Sequence, residues 1–132
     1  MMAERYEVYK CEICANIVEV LAGGAGALIC CGEDMTFMKA NTVDASREKH
    51  LPVPHREENG LKVAVGEQPH PMLEAHYIMW IETRVGDRLQ RVYLKPGDDP
   101  AAVFCCPDGE NSGERPVFRA YCNLHGLWKS EG

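Results

Sequence analysis

Four histidines and one cysteine, His50, His70, His76, Cys122 and His125, have the types and spacing to hold a metal ion. Cys122-Asn123-Leu124-His125-Gly126 brings a thiolate and an imidazole together in a tight turn, and Gly126 lets the backbone pass close. The residue before a proline is pushed out of helical geometry, so His70-Pro71 places His70 and His76 on a loop that wraps something, not on a metalloprotease-type helix. Five donors exceed the four of a closed structural zinc site and suit an octahedral metal with one position open. Imidazole suits iron, copper, nickel and zinc alike, while a single thiolate adds a strong electron-donating ligand of the kind that tunes haem iron. The set reads as an iron centre whose open position implies redox chemistry on a small ligand. The short Cys122-x-x-His125 chelate favours the near nitrogen, Nδ1, of His125, with Nε2 serving for His50, His70 and His76.

A second constellation is Cys11-x-x-Cys14 followed by the adjacent pair Cys30-Cys31. A C-x-x-C hook curls the backbone so that both sulfurs reach one ion, and two hooks complete a tetrahedron. Adjacent cysteines on an extended chain point to opposite sides, so the second hook requires a sharp bend, for which Gly32 supplies the slack. The cluster alone is compatible with a structural zinc ribbon as well as with iron. Disulfides fit less well, because seven is an odd count and a reducing compartment keeps thiols free.

The elements that must position these residues are strands. Gly and Pro punctuate the chain and long amphipathic stretches are absent, which predicts a mainly β protein. Residues 1–37 form a small first domain, with short strands around Tyr6, Val8, Ile17, Val18 and Val20 and a Gly23-Gly24, Gly26 turn before Leu28-Ile29. So small a unit buries too little apolar surface to fold alone and depends on a metal staple. Residues 38–132 form the second domain, of which 38–49 read as a linker or as the entry to that domain. Strands are expected over 61–65, 77–85, 89–94, 102–106 and 117–122, and their roughly ten-residue spacing suggests a β-sandwich.

The polar N-terminus and the lack of any apolar run approaching ~18 residues predict neither secretion nor a membrane span, hence a cytoplasmic address. A net charge of −6 offers no basic face for nucleic acid.

Glu48-Lys49-His50 with Pro52-Val53, Pro69-His70-Pro71-Met72, His76-Tyr77-Ile78, Leu94-Lys95-Pro96-Gly97 and Tyr121-Cys122-Asn123 with His125-Gly126, together with Tyr9-Lys10-Cys11 and Asn41-Thr42-Val43-Asp44, resemble desulfoferrodoxin, the two-iron superoxide reductase. The resemblance runs over nearly the whole chain. It implies a desulforedoxin-like iron held by Cys11, Cys14, Cys30 and Cys31. It also implies a catalytic iron in an immunoglobulin-like sandwich, with His50, His70, His76 and His125 equatorial and Cys122 axial. Reduction of superoxide to hydrogen peroxide, a rubredoxin-like electron donor and a homodimer follow from it too. So do the roles of Glu48, as sixth ligand of the resting ferric site, and Lys49, as an attraction for the anion. Cys105, Cys106 and the polar segment 107–113 fall outside the pattern; the two cysteines are expected to be strand residues, one inward and one outward, and His55 a surface residue. Two other classes stay open at this point, an electron carrier whose second metal is incidental and a metal-binding regulatory module.

Overall fold

The computed structural model describes residues 2–43, 50–58, 60–66, 68–105 and 114–131, and every regular element among them is a β-strand. Contacts divide the chain into two compact units, Met1–Lys39 and Ala40–Gly132.

The first unit holds β1 (Val8–Lys10), β2 (Ile17–Glu19), β3 (Ile29–Cys30), β4 (Glu33–Asp34) and β5 (Thr36–Phe37). The order β2-β1-β5 makes one antiparallel sheet, with Tyr9 opposite both Val18 and Phe37, and β3-β4 is a separate hairpin. Apolar burial is sparse: Val8, Cys11 and Val20 are buried, whereas Ile13, Leu21 and Ile29 are more than half exposed. A core of this size offsets little of the ~1–2 kcal/mol per residue of backbone ordering, so the four thiols that the unit gathers are its natural cross-link.

The second unit holds β6 (Pro52–Glu57), β7 (Gly60–Val65), β8 (Ile78–Val85), β9 (Arg88–Tyr93), β10 (Ala101–Phe104), β11 (Val117–Cys122) and β12 (Gly126–Glu131). A three-stranded sheet β10-β7-β6 faces a four-stranded sheet β12-β11-β8-β9. Seven strands in sheets of three and four match the count of a constant-type immunoglobulin sandwich. Leu61, Val63 and Val65 of β7 and Ala102 and Phe104 of β10 pack against Ile78 and Ile81 of β8 and Phe118, Ala120 and Cys122 of β11. Period-two alternation supplies this face, and the core therefore ends in a metal-ligating residue type.

Three differences from the sequence reading have physical causes. Pro52 and Pro54 mask β6 as a strand; the structure accommodates them because β6 is the edge of its sheet, where a missing N–H costs no ladder bond. Asn41 carries regular pairing that the sequence reading did not give it, bridging in parallel to Trp128, its N–H donating to Leu127 O (2.8 Å) and its carbonyl accepting from Lys129 N (2.9 Å). Cys105 is exposed and lies just past the end of β10, so it is not a strand residue; Cys106 and 107–113 lie outside the described residues. His55, on β6, is exposed.

Candidate metal centres

Cys11, Cys14, Cys30 and Cys31 converge in the first unit. Ala15, in the left-handed region at φ +69°, closes the first hook, with Ala15 N donating to Cys11 O (2.9 Å) and Cys11 N to Asn16 O (2.8 Å). The bend of the second hook lies at Cys31 itself (φ +54°) as well as at Gly32 (φ +77°). A non-glycine residue held there is strained, and the strain turns two adjacent sulfurs to one side. The Cys14–Cys30 and Cys30–Cys31 sulfur separations are 3.6 and 4.0 Å. Two thiolates tetrahedrally bound at ~2.3 Å lie ~3.8 Å apart, so the set is spaced for one ion and far too wide for the ~2.05 Å of a disulfide. The Cys14 N–H points at Cys11 Sγ (3.5 Å) and holds that thiol down to about 7, while the surrounding sulfurs of Cys14, Cys11 and Cys30 push Cys31 up to about 12. One sulfur is thus poised as thiolate while another keeps its proton until a cation replaces it.

The second set forms at one end of the sandwich. His50 precedes β6, His70 and His76 lie between β7 and β8, Cys122 ends β11, and His125 sits in the turn before β12. Along β8 and β11 the register slips so that Tyr121 faces Trp80 but Cys122 faces Ile78, leaving Met79 as the extra residue. Such a bulge re-aims the side chains beyond it and puts Ile78 and Cys122 together in the core. Cys122 then pairs with Gly126 across a three-residue turn that Gly126 closes at φ +82°, a conformation glycine adopts without penalty.

The four imidazoles form a closed ring. Centroid separations are 4.7 Å for His50–His70, 4.8 Å for His70–His76, 5.0 Å for His76–His125 and 4.9 Å for His125–His50, each pair steeply inclined. His50 Nε2 lies 3.1 Å from His125 Nδ1; neighbouring donors at a right angle, each ~2.1 Å from one ion, lie ~3.0 Å apart. His70 Nδ1 bonds Pro71 O at 2.8 Å, which leaves Nε2 as the nitrogen available to the group. Cys122 Sγ is 3.7 Å from His125 Nδ1, and one ligand atom from each of the five residues lies within 4.8 Å of every other. Trp128 stacks on His50 (4.4 Å, 12°), and its Nε1–H donates to His125 O (3.2 Å), fixing both imidazoles from behind. His50, His70 and Cys122 are buried, His76 is half-buried and His125 exposed, so among the described residues the set meets solvent at His125. Two sets of soft and borderline donors at bonding separations fit transition-metal ions, four thiols in one and four imidazoles with one thiol in the other. Glu48 and Lys49 lie outside the described residues.

The clamp that Asn123 makes across this site was not read from the sequence. Asn123 Oδ1 accepts from Tyr77 N (2.9 Å), its Nδ2 donates to Ala75 O (3.1 Å), and its own N–H donates to Tyr77 O (3.2 Å). The signal available was only its place between Cys122 and His125.

Residues 3–38 match the family model "Desulfoferrodoxin, N-terminal domain" and residues 42–131 match "Desulfoferrodoxin". A desulfoferrodoxin of Syntrophotalea carbinolica is 53% identical over 131 residues, covering 99% of this chain and 100% of that protein. One of Desulfarculus baarsii is 52% identical over 130 residues, covering 98% and 99%. The crystal structure of the superoxide reductase from Treponema pallidum superposes with a TM-score of 0.75 at 25% identity, covering 97% of this chain and 99% of that one. With two donor sets, a small cysteine-rich unit, a seven-stranded sandwich and family matches that together span almost the full sequence, the chain belongs to the desulfoferrodoxin family.

Proposed function

We propose that the protein is a superoxide reductase, an oxidoreductase that delivers one electron to superoxide and, with two protons from solvent, yields hydrogen peroxide. The observation that carries this reading is the closed ring of four imidazoles with a buried thiol against it and an open side at His125. In this reading His50, His70 and His76 through Nε2, His125 through Nδ1 and the Cys122 thiolate would together hold the iron. Iron bound there supplies a one-electron couple. Four neutral imidazoles and one thiolate leave a ferrous site with a formal charge near +1, which favours a small anion. Burial of Cys122 keeps water from the thiolate, whose donated charge would favour the oxidised state of an iron held there. Cys11, Cys14, Cys30 and Cys31 hold the second iron.

The finer parts of the reading rest on sequence. By the family resemblance Glu48 would be a further ligand of the resting iron, and Lys49, beside His50 in sequence, would draw in the anion. A rubredoxin-like carrier returns the electron in a cytoplasmic setting. A homodimer belongs to the same reading and rests on the family resemblance.

In a protein of net charge −6, a cation at the mouth must reverse the field locally, and such steering raises association by roughly 10-fold or more and is screened by salt. Lys49→Ala is expected to keep both iron spectra, slow the second-order reaction with superoxide and flatten its dependence on ionic strength. Stopped-flow mixing of anaerobically reduced protein with superoxide across a salt series measures this. Equal rates and slopes would make Lys49 a solvated charge, and no superoxide-dependent oxidation of the His/Cys site would reduce the protein to an electron carrier.

A further inference from the structure

We propose that Asn123 is the positioning residue that holds His76 in the ligand ring against Cys122 and His125. The proposal rests on the ligand assignment above, and its test reads metal binding, so it fails separately from superoxide reactivity.

Ala75 and Tyr77 flank His76 in sequence, and one Asn123 carboxamide bonds to both, through Nδ2 to Ala75 O and Oδ1 to Tyr77 N. The Asn123 main-chain N–H adds a third bond to Tyr77 O at 3.2 Å. His76 itself closes a tight turn, Leu73 N donating to His76 O (2.9 Å) and His76 N to Leu73 O (3.1 Å). Met72 anchors the start of that turn, its carbonyl accepting from Gly97 N (2.9 Å) and its Sδ from Ile78 N (3.4 Å). The clamp therefore ties both neighbours of His76 directly to the Cys122–His125 turn, beside the pairing of Cys122 with Ile78.

The residue type follows from the task. A carboxamide offers an acceptor and donors on one planar group whatever the pH, and asparagine is short enough to do so from a turn that also carries two ligands. The facing groups fix its orientation, since an N–H meets one end and a carbonyl the other. Aspartate would keep the Tyr77 half and lose the Ala75 half, and alanine would keep only the main-chain bond. Groups that orient metal ligands in this way typically change metal affinity by about 10–100-fold when removed.

The test compares wild type, Asn123→Ala and Asn123→Asp as the full chain loaded with 57Fe, using Mössbauer spectra to resolve the two irons and ferrous release to a chelator to time the His/Cys iron. Release is expected to accelerate about 10–100-fold in Asn123→Ala and by less in Asn123→Asp. The His/Cys doublet should change in the same order and the four-cysteine doublet stay fixed. If Asn123→Ala fails to fold, Asn123→Asp carries the same comparison. Wild-type release with an unchanged doublet would overturn the proposal. So would a lowered melting temperature of the metal-free protein with an unchanged doublet after loading, because that result would make Asn123 merely structural.

Discussion

Cys31 shows how much of the four-cysteine site is decided at a single backbone angle. Adjacent sulfurs can face one ion only if the chain folds back between them, and the structure meets that need with a left-handed cysteine, φ +54°. The sequence reading located the slack at Gly32, which shares the bend; the angle at Cys31 was not legible, because no residue type there announces it. Crowded sulfurs push Cys31 up to about 12 and raise Cys30, whereas the Cys14 N–H lowers Cys11 to about 7. Across pH 6 to 9 Cys31 therefore keeps its proton and Cys11 loses its own, so metal entry must release protons and competes with them. Uptake of ferrous or zinc ion by the metal-free cluster is expected to tighten steadily between pH 6 and 9, with protons appearing in unbuffered solution. A pH-independent affinity in calorimetric titrations would show that the thiols are ionised before the metal arrives.

At the scale of elements, the four-stranded sheet carries two registers of side chains side by side. Tyr121 stacks on Trp80 (4.7 Å, 18°), and in the next row Arg119, Glu82 and Arg91 face one another across β11, β8 and β9. Glu82 is 1% exposed and accepts from Trp80 Nε1, Arg91 and Arg119, with Arg119 Nη2 at 2.8 Å. Removing one partner of such a group strands the others, at a cost of about 3–5 kcal/mol. Glu82→Ala is expected to lower unfolding stability in that range while both irons, once bound, keep their spectra; a loss under about 1 kcal/mol would mean the arginines find new partners. Much of this level was legible: β7 announces itself by alternation, β8 and β11 by runs rich in apolar and aromatic residues, and the Gly86-Asp87 turn by its residue types. The β6 strand was hidden by its prolines and β12 by its glycine start and its charged end, and both were supplied by tertiary pairing. All five donors of the second site were visible as residue types, but the bulge at Met79 that aims Cys122, and the Asn123 clamp, arise from long-range register and could not be seen from the chain alone.

For the whole molecule, the two units divide the labour, Met1–Lys39 gathering thiols and Ala40–Gly132 gathering imidazoles around a thiolate. The small unit lacks a sizeable core, so Cys14→Ser is expected to abolish its metal and loosen residues 1–37. The same variant should still react with superoxide at close to the wild-type rate, because the substrate meets only the open His/Cys side; pulse radiolysis of the reduced variant measures this, and a rate lower by orders of magnitude would make the two centres inseparable. The central claim, reduction without dismutation, is tested most directly by product stoichiometry. Fully reduced protein pulsed with less than one superoxide per site should yield one hydrogen peroxide per superoxide, one oxidised His/Cys iron per event and no dioxygen. Half an equivalent of peroxide with half an equivalent of dioxygen would contradict the account.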